Sequence, residues 1–485
     1  MRKFIHKWEW LIIILCGVVV LRIPTLLEPY WYGDEGVYLV IGQALNRGAE
    51  LYKDIHDNKP PFLYLVAAGA AGSQFWFKFW AMGANLITIA VLALLSKKVL
   101  GEDRQKAVWL TVGVGAGLST TPLFEGNIAN AELFFLLFTV GAAMVLYEKG
   151  NSLKRIFLGG VLIGLGGLFK IPAVVEAGIW PILWLADRER GWWKKCLSLG
   201  GGVLVPLVVS GLYFASRGVL PEYLIAAAGQ NIPYLTSWTP GGDTGIYTLT
   251  GRAAGAAAAV GVIWLLLWTK KISRAGAFVG LWGVTAMFGA LLSGRPYPHY
   301  LMQAAGAGAL ALGILAGYRG MTRVMGAGVV TLIIAAFGLF HFYTYPVWGY
   351  YANFGKWILR VENLEDYYRW FNGQVVNNYK IAEVIASGSR PEDKVFVWGD
   401  EPMIYALARR PVVGRYTVRY HILDFRAQAA TMDNLQADPP KYIVSFGREE
   451  ELPGLTDFIW GGYRLEKTVD NASIYRRSSI SWWKY

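Results

Sequence analysis

Long runs of apolar residues, separated by short polar segments, dominate the first 342 residues of the chain. Each run is close to the length that an α-helix needs to cross a bilayer. The pattern therefore predicts a polytopic α-helical membrane protein with about 11 transmembrane helices. The runs occupy residues 9–27, 76–96, 105–121, 128–147, 155–170, 172–186, 196–215, 251–268, 276–292, 299–316 and 324–342.

A shorter apolar stretch, residues 61–73, follows Pro60 and begins with Pro61; it is too short to cross a membrane comfortably. Proline suits the first turn of a helix, so we predict a juxtamembrane helix on the outer surface. The first apolar run has a basic start and no small-residue cleavage site, which predicts an uncleaved signal anchor.

Lys and Arg predict the orientation of the chain in the membrane. With the N-terminus in the cytoplasm and 61–73 excluded from the spans, every predicted cytoplasmic loop carries at least two basic residues. This asymmetry follows the positive-inside rule. We therefore predict a multi-pass protein of the cytoplasmic (plasma) membrane, with a cytoplasmic N-terminus and an extracytoplasmic C-terminal domain.

The pattern changes after residue 342. Short apolar runs in the remainder predict buried strands at 394–399 and 441–446, with helices near 365–387, 400–409 and 421–436. We therefore predict two domains: a transmembrane domain over 1–342, with an external loop at 28–60, and a small extracytoplasmic α/β domain over 343–485.

Composition agrees with this picture. Hydrophobic residues make up 54% of the chain and charged residues 16%, against about 25% charged in a soluble domain. These values exclude a disordered chain and argue against an ordinary cytosolic enzyme. Residues 1–342 carry 28 Lys and Arg against 17 Asp and Glu, whereas 343–485 carry 18 against 17. Membrane topology explains this positive charge, and no nucleic-acid partner is needed.

Two adjacent carboxylates, Asp34 and Glu35, follow the first apolar run directly. Neighbouring carboxylates at a low-dielectric surface hold protons more tightly, which suits one of them to act as a base. The alternative is structural, because acidic residues at a helix N-terminus complement the helix dipole. From these two residues alone, the structural interpretation is favoured.

Further ionisable residues lie at the predicted outer ends of spans. Glu132 lies just inside the fourth span, Lys170 lies between the fifth and sixth, and Arg295 and His299 lie at the start of the tenth. Ionisable groups at membrane depth usually line a cavity or a pathway. The alternatives are snorkelling of Lys170 and an interfacial His299 bonded to backbone. We interpret Glu176, deeper in the sixth span, as the partner of one of these cations.

Carboxylates, several cations and an apolar approach on one side of the membrane suit a lipid-linked phosphate substrate. The cations would hold the phosphate while a carboxylate activates an attacking hydroxyl.

The motifs that hold these residues resemble those of the GT-C membrane glycosyltransferases. The sequence is most similar to the dolichyl-phosphate-mannose–protein mannosyltransferases and their bacterial relatives, including the aminoarabinose lipid A transferases. The similarity runs over nearly the whole chain and rests on the order of its motifs. The motifs are the DE after the first span, NKPP at 58–61, NAE at 130–132, KIP at 170–172, RPYPHYLMQ at 295–303 and VFVWGDEPMIYALARRPVVGRY at 395–416.

The resemblance implies an inverting transfer of sugar from a polyprenyl-phosphate donor to an acceptor glycan, lipid or protein on the outer face. It implies Asp34 as the base or as the residue that orients the acceptor hydroxyl, with Glu35 beside it, and Glu132 as a second acidic residue of the site. It implies that Lys59 and Lys170 contact the donor phosphate and that His299 lies near the donor. We add Arg295 and Tyr300, which flank His299 in the sequence, as further candidate donor-binding residues. Some family members use a divalent cation, Mg²⁺ or Mn²⁺, whose ligands here would be Asp34 and Glu132.

Two other functional classes compete with a glycosyltransferase. A transporter or flippase of lipid-linked sugars would also need acids and cations around a phosphate. Transporters usually bind near the bilayer midplane and often contain repeats, whereas here the candidates lie at one interface and no repeat is visible. A non-catalytic membrane scaffold would explain residues 343–485 but not the ionisable residues at the span ends.

Overall fold

The computed structural model describes residues 2–236, 238, 242 and 244–478. Within these residues, six helical stretches have the length and apolar composition needed to cross a membrane. They are Trp8–Leu26, Gln74–Leu100, Trp192–Ser216, Leu249–Trp268, Pro298–Gly317 and Gly320–Leu339. The other apolar helices of this region are shorter, so the predicted number of about 11 spans stays a prediction.

All eleven apolar runs fall on helices, as predicted. The run 172–186 is divided into a 3-10 segment, Ile171–Gly178, and a short α-helix. The predicted juxtamembrane helix is eight residues long. At 1.5 Å per residue it is too short to cross a bilayer. The helices are α1 (Arg2–Leu26), α2 (Gly33–Asn46), α3 (Phe62–Gly69), α4 (Gln74–Leu100), α5 (Gln105–Thr120), α6 (Ala131–Leu146), α7 (Leu153–Gly167), α8 (Ile179–Ala186), α9 (Trp192–Ser216), α10 (Leu220–Leu224), α11 (Asn231–Thr236), α12 (Leu249–Trp268), α13 (Arg274–Ala290), α14 (Met302–Gly317) and α15 (Gly320–Leu339).

Small residues allow α7 and α9 to pack closely. A Cβ on Gly160 would lie 2.3 Å from the carbonyl oxygen of Leu199, and one on Gly164 would lie 2.4 Å from that of Val203. Membrane helices gain little from the hydrophobic effect against one another, so close backbone approach supplies the contact. This packing fixes the end of α7, which precedes Lys170.

The C-terminal segment contains the predicted small α/β fold. Its four-stranded sheet has the order β1-β2-β4-β3, with β1 and β2 parallel and the other neighbours antiparallel. Both predicted strands are present, and every residue of each is buried, as their continuous apolar sequence requires. The strands are β1 (Val395–Trp398), β2 (Tyr442–Ser445), β3 (Tyr463–Val469) and β4 (Ala472–Arg477).

Helices cover this sheet, and its core includes Phe396, Trp398, Leu435 and Ile443. The helices of the segment are α16 (Val347–Ile358), α17 (Leu364–Phe371), α18 (Gln374–Gly388), α19 (Met403–Ala408), α20 (Arg419–Asp424), α21 (Gln428–Ala437) and α22 (Leu455–Gly462).

The chain forms two compact units. The first contains residues 1–25, 58–62 and 79–347, and the second contains 26–57, 63–78 and 348–485. Most of the loop 28–60 and of the stretch 61–73 thus belongs to the same unit as the α/β fold, although the sequence analysis assigned both to the first domain.

Candidate functional site

Lys170 occupies the break between α7 and the 3-10 segment Ile171–Gly178, with an extended backbone at φ −160°. Its ammonium group forms an ion pair with Glu132 and lies 4.0 Å above the centre of the Tyr300 ring. Glu132 is buried in the first turn of α6, where the helix dipole favours a carboxylate. The Lys170 side chain keeps 20% of its surface exposed, against 4% for Glu132. A ligand can therefore reach the lysine.

Tyr300 connects Lys170 to a second cation. The hydroxyls of Tyr300 and Tyr234 are hydrogen-bonded at 2.9 Å. The guanidinium of Arg295 lies 4.3 Å above the Tyr234 ring and 5.7 Å from that of Trp238. Lys170, Glu132, Tyr300, Tyr234 and Arg295, hereafter the lysine–tyrosine cluster, thus form a connected group, and four of the five were predicted from the sequence.

His299 lies beside this cluster. Its Nδ1 is 2.5 Å from Oε2 of the buried Glu125, and its ring packs edge-on against Tyr300 at 4.6 Å between centroids. Burial raises the pKa of Tyr345, and the adjacent negative charge of Glu125 raises it further. Tyr345 therefore stays protonated and donates a hydrogen bond to Glu125. These contacts hold the imidazole of His299 in a fixed orientation.

Lys59 is half-buried and lies on a segment that contacts the Lys170 turn. The backbone N–H of Phe62 donates to the carbonyl of Leu168 at 3.1 Å. The ring of Phe62 packs edge-on against Phe169, with 5.5 Å between centroids. The structure therefore brings together the two segments that carry Lys59 and Lys170.

This arrangement can hold an anion that carries an apolar tail. Lys and Arg donate charge-assisted hydrogen bonds to phosphate oxygens, and the tyrosine hydroxyls add neutral donors. Lys59, Lys170 and Arg295 together carry one positive charge more than Glu132 and Glu125. An incoming phosphate can take the place of Glu132 beside Lys170 or share the lysine with it.

Asp34 lies in the first turn of α2 and is half-buried. Its Oδ2 accepts a hydrogen bond from the hydroxyl of the fully buried Tyr38 at 3.0 Å. Gly36 lets α2 pack closely against α19, since a Cβ there would lie 2.7 Å from the Met403 sulfur. The carboxylate of Asp34 thus projects from a helix whose position is fixed.

Glu35 has a different environment from its neighbour. Its side chain is fully buried, and Lys78 Nζ lies 3.1 Å from its Oε2. The same ammonium is 2.6 Å from Oε2 of Glu28, which also accepts hydrogen bonds from Trp31 and Tyr350. Glu28, Glu35 and Lys78, hereafter the buried lysine triad, are all fully shielded from solvent at their side chains. Glu35 therefore anchors the first turn of α2.

Among the residues that the structure describes, Glu176 has no cation as its partner, contrary to expectation. Its two oxygens accept hydrogen bonds from Trp282 at 2.9 Å and from Gln303 at 3.1 Å. Gln303 also donates to the carbonyl of Pro172 at 3.1 Å. A buried carboxyl can be stabilised by neutral donors alone, so Glu176 fastens the segment after Lys170 to neighbouring helices.

Several residues of these groups were not predicted from the sequence. Glu125 adopts a left-handed conformation at φ 54° in a short loop, and its link to His299 spans 174 positions. Tyr234 lies in a polar stretch between two apolar runs, and Gln303 is an uncharged residue within an apolar run, so neither position indicated a role. Lys78 was detectable, because a charged residue near the start of an apolar run calls for a buried partner.

Within the described ranges, no group of three or more His, Cys, Asp or Glu residues is placed to hold a metal ion. Glu132, one of the two predicted ligands, has the cation Lys170 as its partner. The residues around Glu132 therefore do not fit a divalent cation.

The fold is similar to that of a protein of known structure. Sequence comparison matches no protein-family model and no curated protein. Two solved structures of ArnT from Cupriavidus metallidurans are similar, one bound to undecaprenyl phosphate and one in the apo state. Their TM-scores are 0.62 and 0.60, each at 14% identity over 97% of this chain and 98% of that chain. ArnT is an aminoarabinose lipid A transferase of the GT-C fold. This chain is thus an integral membrane protein with a GT-C fold, as the resemblance implied.

Proposed function

We propose that this protein is an inverting membrane glycosyltransferase that moves a hexosyl or pentosyl group from a polyprenyl-phosphate donor to an acceptor hydroxyl. The acceptor belongs to a glycan, a lipid or a protein. The observation that carries the proposal is the lysine–tyrosine cluster, in which a partly exposed Lys170 and Arg295 are joined through two tyrosines.

The likeness to ArnT supports the donor class. One of the two ArnT structures contains undecaprenyl phosphate, which is a polyprenyl phosphate. In this chain, Lys59, Lys170 and Arg295 supply the cations that such a phosphate requires, and His299 and Tyr300 lie beside them. The apolar spans around the cluster suit the polyprenyl tail.

The reaction requires one proton acceptor and a stabilised leaving group. The acceptor oxygen attacks the anomeric carbon and gives its proton to a carboxylate, while the bond between that carbon and the phosphate oxygen breaks. The phosphodiester leaves as a polyprenyl phosphate with one additional negative charge. Lys59, Lys170 and Arg295 stabilise that charge, so no acid is needed at the leaving group.

We assign the base to Asp34 and a positioning role to Glu35. Asp34 is half-buried and already accepts a hydrogen bond from Tyr38, as a base that receives a hydroxyl proton must be able to do. Glu35 is fully buried against Lys78, which supports an anchoring role for it.

The test is sugar transfer from a polyprenyl-phosphate donor, measured in membranes. Asp34→Asn keeps the size of the side chain but cannot take the proton, so we expect kcat to fall by about 10²–10⁴ with donor binding intact. Glu35→Gln should lose less activity. The exposed Asp54→Asn, in the same loop, is the matched control and should transfer normally.

Three outcomes would change the assignment. An inactive Glu35→Gln beside an active Asp34→Asn would exchange the two roles. Activity in both variants would move the base to Glu132. Donor binding without any transfer by the wild type would favour a transporter of lipid-linked sugars.

The proposal also requires the predicted orientation, with the N-terminus in the cytoplasm and residues 343–485 outside it. A reporter that is active only in the cytoplasm, fused after Tyr485, should remain silent. A signal from this reporter would reverse the topology and remove the outer-face reaction.

A further inference from the structure

Helix α16 presents an apolar face away from the protein. Trp348 is 87% exposed and Leu359, just past the end of the helix, is 76% exposed, with Ala352 exposed between them. These positions are four and seven residues apart, so they share one face. The opposite face carries the buried Tyr350 and Asn353. Apart from Lys356 at its edge, this face lacks the outward polar residues that a surface helix usually carries.

The turn after α16 continues the exposed apolar surface. Ile358 is 52% exposed, Val361 71% and Leu364 47%. Trp348, Ile358, Leu359, Val361 and Leu364 are hereafter the apolar rim. Single exposed apolar residues are normal on proteins, but a group of five within seventeen residues marks an interaction surface.

Side-chain contacts hold the backbone that carries the apolar rim. Trp357 stacks on the buried Tyr367 with 4.6 Å between ring centroids. Lys356 pairs with Glu362 at 2.7 Å across the turn. Asn363 caps α17 by accepting a hydrogen bond from the N–H of Asp366 at 2.9 Å. The apolar side chains therefore project from a turn whose backbone is fixed by its own contacts.

The chain enters α16 from a candidate membrane span. The candidate span α15 ends at Leu339, and α16 begins at Val347. The residues between them, 340–346, can reach about 25 Å at most. They read FHFYTYP, and among them Tyr343 is 52% exposed; tyrosine is enriched at membrane–water interfaces. The apolar surface thus begins within a short tether of a span.

We propose that the apolar rim inserts into the boundary between headgroups and acyl chains of the bilayer that α15 spans. An amphipathic helix lies in this layer with its apolar face down, and Trp is favoured there. The exposed Arg360 borders the rim, where it can contact lipid phosphates, whereas Lys356 is paired with Glu362. The partner of this surface is a phospholipid bilayer.

The experiment places an environment-sensitive label on the rim of the full chain. In a Cys16→Ala, Cys196→Ala background, an NBD fluorophore is attached at Leu359→Cys or at Trp348→Cys. The control is Lys467→Cys on strand β3, which is exposed in the same compact unit. Each protein is placed as a single copy in phosphatidylcholine and phosphatidylglycerol nanodiscs, with or without lipid that carries a nitroxide near the headgroup.

We expect both rim labels to emit at shorter wavelength than the control and to lose most of their intensity with nitroxide lipid. The control should keep its intensity. Rim labels that behave like Lys467→Cys would overturn the proposal. Rim labels that are shielded from water but insensitive to nitroxide lipid would also overturn it, because protein would then cover the rim. No sugar transfer is measured, so either result leaves the proposed function unaffected.

Discussion

Two lysines of this protein pair with glutamates, one at a partly exposed position and the other at a fully buried one. Lys170 pairs with Glu132 and keeps a fifth of its side chain exposed, with a tyrosine ring beneath it. Lys78 lies between Glu28 and Glu35 with none of its side chain exposed. The residue types are the same, but of these two lysines only Lys170 is accessible to another anion.

The arrangement around Lys170 suits ligand binding, whereas the arrangement around Lys78 suits anchoring of the fold. A fully buried ion pair is costly to form and more costly to break, because removal of one partner leaves an uncompensated charge. A partly exposed lysine can change its partner at lower cost. Substitutions in the buried lysine triad should therefore act on stability, and substitutions in the lysine–tyrosine cluster should act on donor binding.

The largest effect is expected at Lys78. Lys78→Met keeps the aliphatic stem but leaves Glu28 and Glu35 without their common cation, so we expect about 3–5 kcal/mol of lost stability. Thermal unfolding in detergent measures this loss. Adding Glu28→Gln should recover part of it. A Lys78→Met protein that unfolds like the wild type but no longer binds donor would show that Lys78 acts in donor binding. The buried lysine triad and the lysine–tyrosine cluster would then not differ in role.

A smaller effect is expected at Gln303, which joins the segment after Lys170 to the helix that follows Tyr300. Gln303→Leu leaves the Pro172 carbonyl and Glu176 without this donor, at a cost of about 1–3 kcal/mol. Donor KM should rise as well, because Lys170 loses its fixed position. Thr285→Val removes a buried hydrogen bond within α13 and is the matched control. If Gln303→Leu and Thr285→Val change the donor KM equally, Gln303 has only a structural role.

Tyr300 allows the cluster to be dissected further. Tyr300→Phe keeps the ring under Lys170 but removes the hydrogen bond to Tyr234, which is worth about 0.5–1.5 kcal/mol. Affinity for polyprenyl phosphate should fall by up to about tenfold. Tyr300→Leu also removes the ring and should cost more. If Tyr300→Leu binds as the wild type does, the tyrosines do not belong to the binding arrangement.

The smallest effect concerns Glu401 in the α/β fold. Burial raises the pKa of Glu401, and the nearby Asp400 raises it further. The hydrogen bond that Asn378 donates to Glu401 lowers this pKa by less, so the net shift is upward. The folded state then holds the proton more tightly than the unfolded state. The contribution of Glu401 to stability is therefore largest below its ordinary value of 4.5 and declines as pH rises through the raised pKa.

Glu401→Gln should remove this decline. Unfolding temperatures of the full chain, measured from roughly pH 4 to 8, check it. The exposed Glu383→Gln on α18 should leave the decline unchanged. A steeper decline of stability with pH in Glu401→Gln would contradict a raised pKa of Glu401 in the folded state.

Much of the fold was predictable because its signals are local. An apolar run long enough to span a bilayer forms a helix, since its backbone groups must bond within the segment. Strands β1 and β2 were predictable because both faces are buried. The hairpin of β3 and β4 was missed because most of β3 is exposed and polar. Its edge position removes the apolar alternation that marks a strand.

The site was predictable where a charge interrupts an apolar segment. Glu132, Lys170 and His299 each stand at a span end, and the structure brings them into one group. The environment of Glu35 was not predictable, because consecutive helical residues point about 100° apart and so enter different surroundings. The partner of His299 was not predictable either, because Glu125 lies in a loop without periodicity.

Binding of polyprenyl phosphate to nanodisc-embedded protein tests directly whether the lysine–tyrosine cluster holds the donor phosphate. Lys170→Met removes the ammonium group that should hold the phosphate. We expect the Kd to rise by at least about thirtyfold, which corresponds to about 2 kcal/mol for loss of the lysine from its charge pair with the phosphate. Lys106→Met, at an exposed position at the start of α5, should bind as the wild type does. Equal affinity of Lys170→Met and wild type would contradict the assignment of the lysine–tyrosine cluster to the donor phosphate.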